Sequence, residues 1–379
     1  MSDMTKYPVA RPSLADLEEK YASDAIRSGW ISSTGPYLER FETEFAVRAG
    51  TTAAVATNNG TTALHLVLAA AGIGPGDEVI VPALTYVATA NAVTYCGARP
   101  VFVDVDPQSW CIDPEQVAAA VTPRTRAVLA VDLYGHPADY ARLREICTAH
   151  GLRLVADAAE SLSGSLRGKP VGALADATTF SFFGNKILTC GEGGCVTTSD
   201  PDLAARMRLL RNQGMDPDRR YFFPVVGYNY RLTNVAAAIL CAQLERCDVM
   251  VARRRAIVDA YDRYSAASPL LSAPVTAPDV TRAPWMASLV LNRDAGFDRE
   301  RLTGRLSDAG VDTRPFFHPL PALPAYGSLP VDAYPVSGDL SRRGFNMPTF
   351  VDMSQDDVEA ILQRLDDALR GCRAETALR

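Results

Sequence analysis

Blocks of apolar residues alternate with segments of helical periodicity between residues 53 and 198. The apolar blocks have the length of strands and lack a polar face, which is typical of parallel strands that are covered by helices on both sides. We therefore predict an α/β fold with a mostly parallel sheet. The predicted strands are 53–56, 78–82, 101–105, 127–133, 152–156, 177–183 and 194–198, and the predicted helices are 13–28, 37–49, 63–71, 85–95, 114–121, 138–150 and 202–211.

The pattern changes near residue 250. Residues 234–252 have helical spacing, and their first half is apolar nearly all round, which predicts burial in the core or against another subunit. Beyond this point the pattern predicts a smaller α+β unit. We predict a large domain at 1–249 and a small C-terminal domain at 250–379. The elements predicted for the small domain are a charged helix at 253–267, a strand at 287–291, a helix at 298–309, a Pro-rich loop at 314–335 and a final helix at 355–369.

Composition narrows the class of protein. The chain has 379 residues, 47% of them hydrophobic, and a net charge of −6 with acidic and basic residues interspersed. It contains no basic stripe with interleaved aromatic residues, so we expect no nucleic-acid partner. It contains neither a signal-like apolar segment near residue 1 nor an apolar run of about 18 residues, so we expect no membrane span.

The spacing of the cysteines and histidines predicts a protein of a reducing compartment that has no metal site. None of the eight cysteines has CxxC spacing, which favours reduced core thiols in a cytoplasmic protein. The four histidines lie far apart in sequence, so we predict no metal site.

One lysine has a distinctive setting. Lys186 follows the predicted strand 177–183 and has apolar neighbours at 182, 183, 187 and 188. Burial disfavours an ammonium group and would lower its pKa to about 7–8, which suits imine chemistry. A lysine on a solvated loop, serving only as surface charge, is the alternative interpretation.

Polar residues follow several other predicted strands. Residues 58–62 form a polar Asn-Asn-Gly-Thr-Thr turn between a strand and a helix start, a geometry that offers backbone N–H groups to a phosphate. The alternative interpretation is an ordinary turn with an N-cap residue that binds no phosphate. Asp157, Tyr86 and residues 181–186 also lie at or after strand ends. Because ligands of parallel sheets bind beyond the carboxyl ends of strands, these residues predict a single site.

Together these motifs resemble the DegT/DnrJ/EryC1/StrS family of pyridoxal-phosphate-dependent sugar aminotransferases. The resemblance covers nearly the whole chain and implies the aspartate-aminotransferase-like fold (fold type I), a three-layer sandwich with a smaller α+β C-terminal domain. Within the family, the Ser-Phe-Phe-Gly-Asn-Lys segment at 181–186 is most similar to the GDP-perosamine synthases. The motifs that carry the resemblance are at 28–35, 59–64, 76–82, 134–135, 157–160, 181–186, 191–194 and 228–231.

The resemblance implies roles for the catalytic residues. Lys186 corresponds to the lysine that binds the cofactor as a Schiff base and moves the proton. Asp157 corresponds to the acid that keeps the pyridine nitrogen protonated, so that the ring acts as an electron sink. Asp157 as a simple helix cap is the alternative. Glu160 lies where the family places a side chain, commonly glutamine, against the ring oxygen of the cofactor.

The remaining cofactor contacts also follow from the resemblance. Gly60 and Thr61 correspond to backbone phosphate contacts, and Ser181 adds a hydroxyl. Tyr86 corresponds to the aromatic residue over the pyridine face, with a core tyrosine as its alternative. Asn229 corresponds to a phosphate contact from the neighbouring subunit, which implies a homodimer with shared active sites.

Two segments near the implied substrate pocket differ in how well they match the family. Where many relatives have Val-His-Leu-Tyr-Gly-Gln, this chain has Val-Asp-Leu-Tyr-Gly-His at 131–136. His318 matches a histidine of the perosamine type and is a candidate substrate contact, with a surface role as the alternative. Arg231 is a candidate contact for a substrate carboxylate or phosphate.

The implied activity is amino transfer from glutamate (or glutamine) to a nucleotide-linked 4-keto-6-deoxy sugar. A keto-cyclitol or another ketone without a nucleotide is the alternative acceptor. A sugar 3-dehydratase of the same fold would carry histidine in place of Lys186, and a non-catalytic cofactor-binding regulator would not need the pairing of Lys186 with Asp157.

Overall fold

The structure is a computed structural model, and it describes residues 7–377, with side chains through residue 376. The strands are β1 Ala53–Thr57, β2 Glu78–Pro82, β3 Arg99–Val103, β4 Thr125–Val131, β5 Arg153–Asp157, β6 Ser165–Leu166, β7 Lys169–Pro170, β8 Ala177–Ser181, β9 Gly194–Thr198, β10 Leu271–Ser272, β11 Val280–Thr281, β12 Ala287–Leu291, β13 Arg314–Pro315 and β14 Gly344–Met347. The helices are α1 Asp16–Ser28, α2 Pro36–Ala49, α3 Gly60–Ala70, α4 Ala88–Tyr95, α5 Pro114–Ala120, α6 Tyr140–His150, α7 Pro201–Arg211, α8 Asn234–Ala267, α9 Arg299–Asp308, α10 Pro335–Arg343 and α11 Gln355–Ala377.

A seven-stranded sheet forms the centre of the large part of the chain. Its strand order is β1-β9-β8-β5-β4-β2-β3. Only β9 runs against the other strands, because it pairs in antiparallel fashion with both β1 and β8. The other pairings are parallel. The predicted mostly parallel sheet is therefore confirmed, and the carboxyl ends of six strands meet at one edge.

Helices cover both faces of this sheet, so its strands are apolar on both sides. One apolar cluster joins the sheet to side chains of α2, α5, α6 and α8, and a second cluster joins it to side chains of α3, α4 and α7. The four β2 residues that precede Pro82 and all of β9 are buried. This explains why the sequence of these strands lacks the alternation of a half-exposed sheet.

A second unit is built around a four-stranded antiparallel sheet, in the order β10-β12-β14-β13. Its apolar cluster draws on residues 257–372 and, from the amino-terminal side of the described chain, on Tyr7. The two units are tied by Asp104, which follows β3 and caps α10. Its carboxylate accepts the N–H groups of Val336 (2.9 Å) and Ser337 (2.8 Å).

The helix α8 is continuous through residues 249 and 250, where the sequence places the domain boundary. Its first half packs in the core of the large part, and from Ile257 onward it belongs to the second core. The division into 1–249 and 250–379 thus stays a prediction. The two helices that the sequence predicts at 234–252 and 253–267 are a single helix.

Residues 336–354, to which the sequence pattern assigns no element, contain the greater part of α10 and the whole of β14. These elements are short, and α10 contains Gly338, so neither has enough residues to display a clear period. Among the described residues, no helix is both long and apolar enough to cross a membrane.

Candidate active site

The strand ends place the predicted site residues at one edge of the sheet. Asp157 is the last residue of β5, Ser181 is the last residue of β8, and α3 begins at Gly60, shortly after β1. The strand β9 lies between β1 and β8, and its first residue is Gly194. A Cβ atom on Gly194 would lie 2.3 Å from the carbonyl oxygen of Asn59, so glycine is needed for this close approach.

Lys186 lies in a nearly closed environment. Its side chain is 13% exposed, and its Nζ atom is 4.0 Å from Oε1 of Glu160 and 4.1 Å from the centre of the Trp285 ring. Burial lowers the pKa of the Lys186 amine, the charges of Glu160 and Asp157 oppose this decrease, and the charge of Arg314 adds to it. An amine with a lowered pKa is available for condensation with an aldehyde and for proton transfer.

Asp157 is buried and held in place by two donors. The Thr89 hydroxyl donates to Oδ2 at 2.9 Å, and the Ala159 N–H donates to Oδ1 at 3.1 Å. Burial raises the pKa of the Asp157 carboxyl, while these hydrogen bonds and the nearby Lys186 oppose the increase. A cation opposite this carboxyl would offset the cost of burial, which is what a protonated pyridine nitrogen would provide.

Glu160 is buried beside Lys186. Its Oε2 atom accepts the backbone N–H of Tyr134 at 2.7 Å. Burial raises the pKa of the Glu160 carboxyl, and the Lys186 ammonium opposes the increase. Tyr134 adopts a left-handed conformation with φ of 51°, a strained geometry for a residue with a side chain. In this turn the Tyr134 N–H group donates to the carboxylate. A backbone group, rather than another side chain, therefore orients Glu160.

The start of α3 and the end of β8 form a small polar cradle. The side chain of Asn59 caps the helix by accepting the N–H of Thr62 at 2.9 Å, while the N–H groups of Gly60 and Thr61 have no acceptor within the helix. A Cβ atom on Gly60 would lie 2.9 Å from Cβ of Ser181. The two N–H groups and the Ser181 hydroxyl therefore converge at a helix N-terminus, which favours an anion such as phosphate.

These residues fit pyridoxal phosphate. They provide an amine of lowered pKa, a buried acid at the end of a neighbouring strand and a phosphate cradle across the sheet edge. Tyr86 lies after β2 with its side chain 57% exposed, and its ring contacts Phe317 with centroids 5.7 Å apart. An exposed ring that follows a strand end is available to cover a bound ring system. Among the described residues, no group of three or more His, Cys, Asp or Glu side chains is arranged to hold a metal ion.

Asn229 and Arg231 lie on either side of Tyr230, whose carbonyl oxygen accepts the N–H group of Asn58 at 2.9 Å. The guanidinium group of Arg231 donates to Oδ1 of Asn212 at 2.7 Å and to Oδ1 of Asn229 at 2.8 Å. Asn229 itself is exposed. Both hydrogen-bond acceptors of Arg231 are neutral amides. Among the described residues, no carboxylate therefore lies at hydrogen-bond distance to neutralise its charge.

His318 is exposed and lines a cavity of about 510 Å³ in the second unit, together with Arg293, Arg299 and Asp339. Lys186 is not among the residues that line this cavity. The neighbouring Phe317 faces the other way and contacts Tyr86. The predicted substrate contact at His318 therefore stays a prediction.

The structure adds site residues that sequence reasoning did not identify, namely Thr89, Tyr134 and Trp285. The sequence contains a signal for Thr89, because this residue lies one helical turn past Thr85 and shortly after a predicted strand. Tyr134 belongs to a motif of the family, but its backbone contact with Glu160 has no sequence signature. Trp285 is about a hundred residues from Lys186 in sequence, and no local pattern predicts their contact.

Asp132 is also buried near the site. Its Oδ1 atom accepts the N–H of Ala138 (3.0 Å) and the hydroxyl of Tyr140 (2.7 Å), while Oδ2 is buried without a hydrogen-bond partner. Burial raises its pKa to about 7, opposed by these hydrogen bonds and by Ser161. The segment that departs from the family pattern thus places a third carboxyl near Asp157 and Glu160, whose charges interact with it.

Comparisons with known proteins agree with this geometry. The model of the DegT/DnrJ/EryC1/StrS aminotransferase family matches residues 12–366. A GDP-perosamine synthase of Caulobacter vibrioides is 46% identical over 373 residues, which cover 97% of this chain and 100% of that protein. The chain therefore belongs to the DegT/DnrJ/EryC1/StrS aminotransferase family.

Solved structures share the fold. A DesI structure in the presence of its TDP-sugar product has a TM-score of 0.90 at 35% identity, covering 99% of this chain and 96% of that one. The putative sugar aminotransferase Spr1654 from Streptococcus pneumoniae, solved in a PMP form, has a TM-score of 0.92 at 27% identity, covering 98% of this chain and 100% of that one. The predicted fold type and the predicted pyridoxal-phosphate-dependent aminotransferase class are thereby confirmed.

We predict a pH-dependent stability effect at Asp132. Because its pKa is about 7 in the folded protein and about 4 in an unfolded chain, the folded state binds the proton more tightly. The resulting penalty is absent below about pH 4, grows as the pH rises and is complete above about pH 7. Asp132→Asn removes this titration and keeps Oδ1 as an acceptor. Relative to the variant, the wild type should lose about 1 kcal/mol of unfolding free energy per pH unit across this window.

Urea unfolding of both proteins at about pH 5 and about pH 8 measures this difference. Any constant effect of the new amide cancels, because only the change with pH is compared. A stability gap that is the same at both pH values would contradict a raised pKa for Asp132.

Proposed function

We propose that the chain is a pyridoxal-phosphate-dependent aminotransferase that moves an amino group from glutamate (or glutamine) to a nucleotide-linked 4-keto-6-deoxy sugar. The observation that carries the proposal is the buried Lys186, 4.0 Å from Glu160 and within the electrostatic reach of Asp157. The acceptor class is supported by the similarity to the Caulobacter vibrioides protein, whose name specifies a GDP-linked amino sugar.

The cofactor, when bound, supplies an aldehyde that exchanges amino groups and a ring that stabilises negative charge. Lys186 would hold the cofactor through Nζ, and its amine would supply and accept the proton that amino transfer requires. The lowered pKa of Lys186 increases the unprotonated share of the amine relative to an exposed lysine, which both tasks require. Its nearly closed surroundings exclude water from the proton transfer.

Asp157 is proposed to hold the proton on the pyridine nitrogen. Its two hydrogen-bond donors, Thr89 and Ala159, fix the carboxyl at the end of β5, and its charge acts on the Lys186 amine. Glu160, held by Tyr134, is proposed to orient the ring through its oxygen substituent. Tyr86 is proposed to cover the ring face.

The phosphate is proposed to bind at Gly60, Thr61 and Ser181, with Asn229 contributed by a second copy of the chain. Within one chain, Oδ1 of Asn229 already accepts from Arg231, so the amide Nδ2 remains as a donor. Residues on the approach to Asn229 are apolar and exposed, which favours a covering subunit. These residues are Tyr221, Phe222, Phe223, Val225 and Val226.

The acceptor carries a diphosphate in this proposal, so its site needs positive charge. Arg231 is proposed as one such group, since both acceptors given for it are neutral amides. His318 is proposed as a second contact, reached through the cavity that it lines with Arg299. We also propose a cytoplasmic location, which is supported by eight free cysteine thiols in the structure.

A screen of the second half-reaction tests the acceptor. Protein loaded with pyridoxamine phosphate is mixed with GDP-, dTDP- and UDP-linked 4-keto and 3-keto sugars and with a keto-inositol, and the visible absorbance and the product mass are followed. We expect the fastest return of the visible band with a GDP-linked 4-keto-6-deoxy sugar. Because Lys186 moves the proton, Lys186→Ala should slow the same step by at least about 100-fold.

A response to keto-inositol alone would instead identify a cyclitol aminotransferase. If no acceptor restores the band, and no amino donor bleaches the pyridoxal-phosphate form, the protein binds the cofactor without turning it over. Either result would refute the proposed acceptor.

Subunit mixing tests the shared site. Lys186→Ala and Asn229→Ala homodimers should each be nearly inactive, because one lacks the amine and the other lacks a phosphate contact. In a mixed dimer, one site combines the intact Lys186 of one subunit with the intact Asn229 of the other. Unfolding and refolding an equal mixture should therefore restore about a quarter of wild-type activity, since about half of the dimers are mixed and each has one working site. If verified mixed dimers recover no activity, the Lys186 and Asn229 that act in one site come from the same subunit, and the shared site is refuted.

A further inference from the structure

The contact between Lys186 and Trp285 is not explained by the roles proposed above. Nζ of Lys186 is 4.1 Å from the centre of the indole ring, well within the range in which an ammonium group is attracted to an aromatic face. Trp285 is 4% exposed. In these largely buried surroundings the attraction is stronger than at an open surface, because less water competes for the ammonium group.

Trp285 also fixes the peptide that precedes Lys186. Its indole Nε1–H group donates to the carbonyl oxygen of Asn185 at 2.9 Å. One side chain thus contacts both the amine and the backbone at the root of the lysine. A tryptophan is needed for this pair of contacts, since phenylalanine would keep a ring and lose the N–H group.

Trp285 is itself held through its backbone and through its ring. The buried guanidinium group of Arg254 donates to the carbonyl oxygens of Trp285 and Thr349, each at 2.9 Å. The ring of Tyr134 lies nearly parallel to that of Trp285, with an interplanar angle of 10° and centroids 6.4 Å apart. These contacts anchor Trp285 at the start of β12 and give it a defined place against the loop that carries Lys186.

We propose that Trp285 is a positioning residue for Lys186, holding the free ε-ammonium group against its indole face and fixing the Asn185 carbonyl through its N–H group. This inference rests on the proposed function, in which Lys186 must return to a defined place each time it leaves the cofactor. The ring contact holds the amine and the N–H contact holds the backbone before it. Both contacts are used in the part of the cycle in which the amine moves a proton.

The contact has a measurable electrostatic consequence. An aromatic face favours the charged form of an amine, so Trp285 opposes the effect of burial on Lys186. Loss of the ring should lower the pKa of Lys186 further, by about 1, on the basis of the usual strength of such contacts. Trp285→Leu is the appropriate change because leucine keeps the position apolar and removes both the aromatic face and the N–H group.

Competitive acetylation of the full-length protein, stripped of cofactor and labelled across a range of pH, measures this pKa directly. The chain contains only four lysines, at positions 6, 20, 169 and 186, so each is followed in its own peptide by mass spectrometry. Lys20 and Lys169 are exposed and serve as internal standards. Trp110→Phe is the matched control, since Trp110 is buried and packs against Phe316 at 5.3 Å.

We expect the pKa of Lys186 to fall in Trp285→Leu, to fall by a smaller amount in Trp285→Phe, and to be unchanged in Trp110→Phe. Should Trp285→Leu fail to fold, the pKa of Lys186 in Trp285→Phe is compared with that in Trp110→Phe, and this comparison tests the proposal. An unchanged or higher pKa in the folded Trp285 variants, or an equal fall in Trp110→Phe, would overturn the proposal. The labelling requires no cofactor, so its result is separate from any failure of the proposed function, which would appear as a wild-type protein that does not take up pyridoxal phosphate on Lys186.

Discussion

The site depends on the electrostatic balance between one buried ammonium group and the buried carboxyls around it. Lys186, Asp157, Glu160 and Asp132 all lie in surroundings where a charge is costly. Burial lowers the pKa of the lysine and raises the pKa of each acid. Opposite charges partly restore the ordinary values of Lys186, Asp157 and Glu160, and hydrogen bonds do so for Asp132. The pKa values of the amine and the acids are thereby brought closer together than those of an isolated surface lysine and carboxylate, which favours proton exchange.

The fold produces this balance by bringing strand ends together. The antiparallel β9 lies between β1 and β8, and Gly194 at its start allows the first turn of α3 to approach Ser181. The anion cradle and the lysine loop therefore lie next to each other at the end of β8, where Ser181 is the last residue. Trp285 and Phe317 pack in the same apolar cluster as the sheet, and the buried Arg254 holds the backbone of Trp285 in place. Residues of the sheet and residues that follow α8 in sequence thus share one core.

The sequence was most informative where a residue's role depends on its place next to a strand. Lys186, Asp157, Gly60 and Ser181 could be identified because each follows an apolar block, and parallel strands bring their carboxyl ends together. The contact with Trp285 could not be predicted, because it joins residues about a hundred positions apart through tertiary packing in the core of the large part. The contact of Tyr134 with Glu160 could not be predicted either, since it uses a backbone N–H group that every residue type has. The two helices predicted on either side of residue 252 form one helix, because a change from apolar to charged residues marks a change in environment rather than an end of the helix.

The most direct test of the account is to reduce the pyridoxal-phosphate-loaded protein with borohydride and map the labelled peptide. Reduction makes the link between cofactor and amine permanent, and only four lysines are present in the chain. The account predicts the phosphopyridoxyl group on Lys186 alone. A label on Lys20 or Lys169 instead, or a cofactor released intact after reduction, would contradict it.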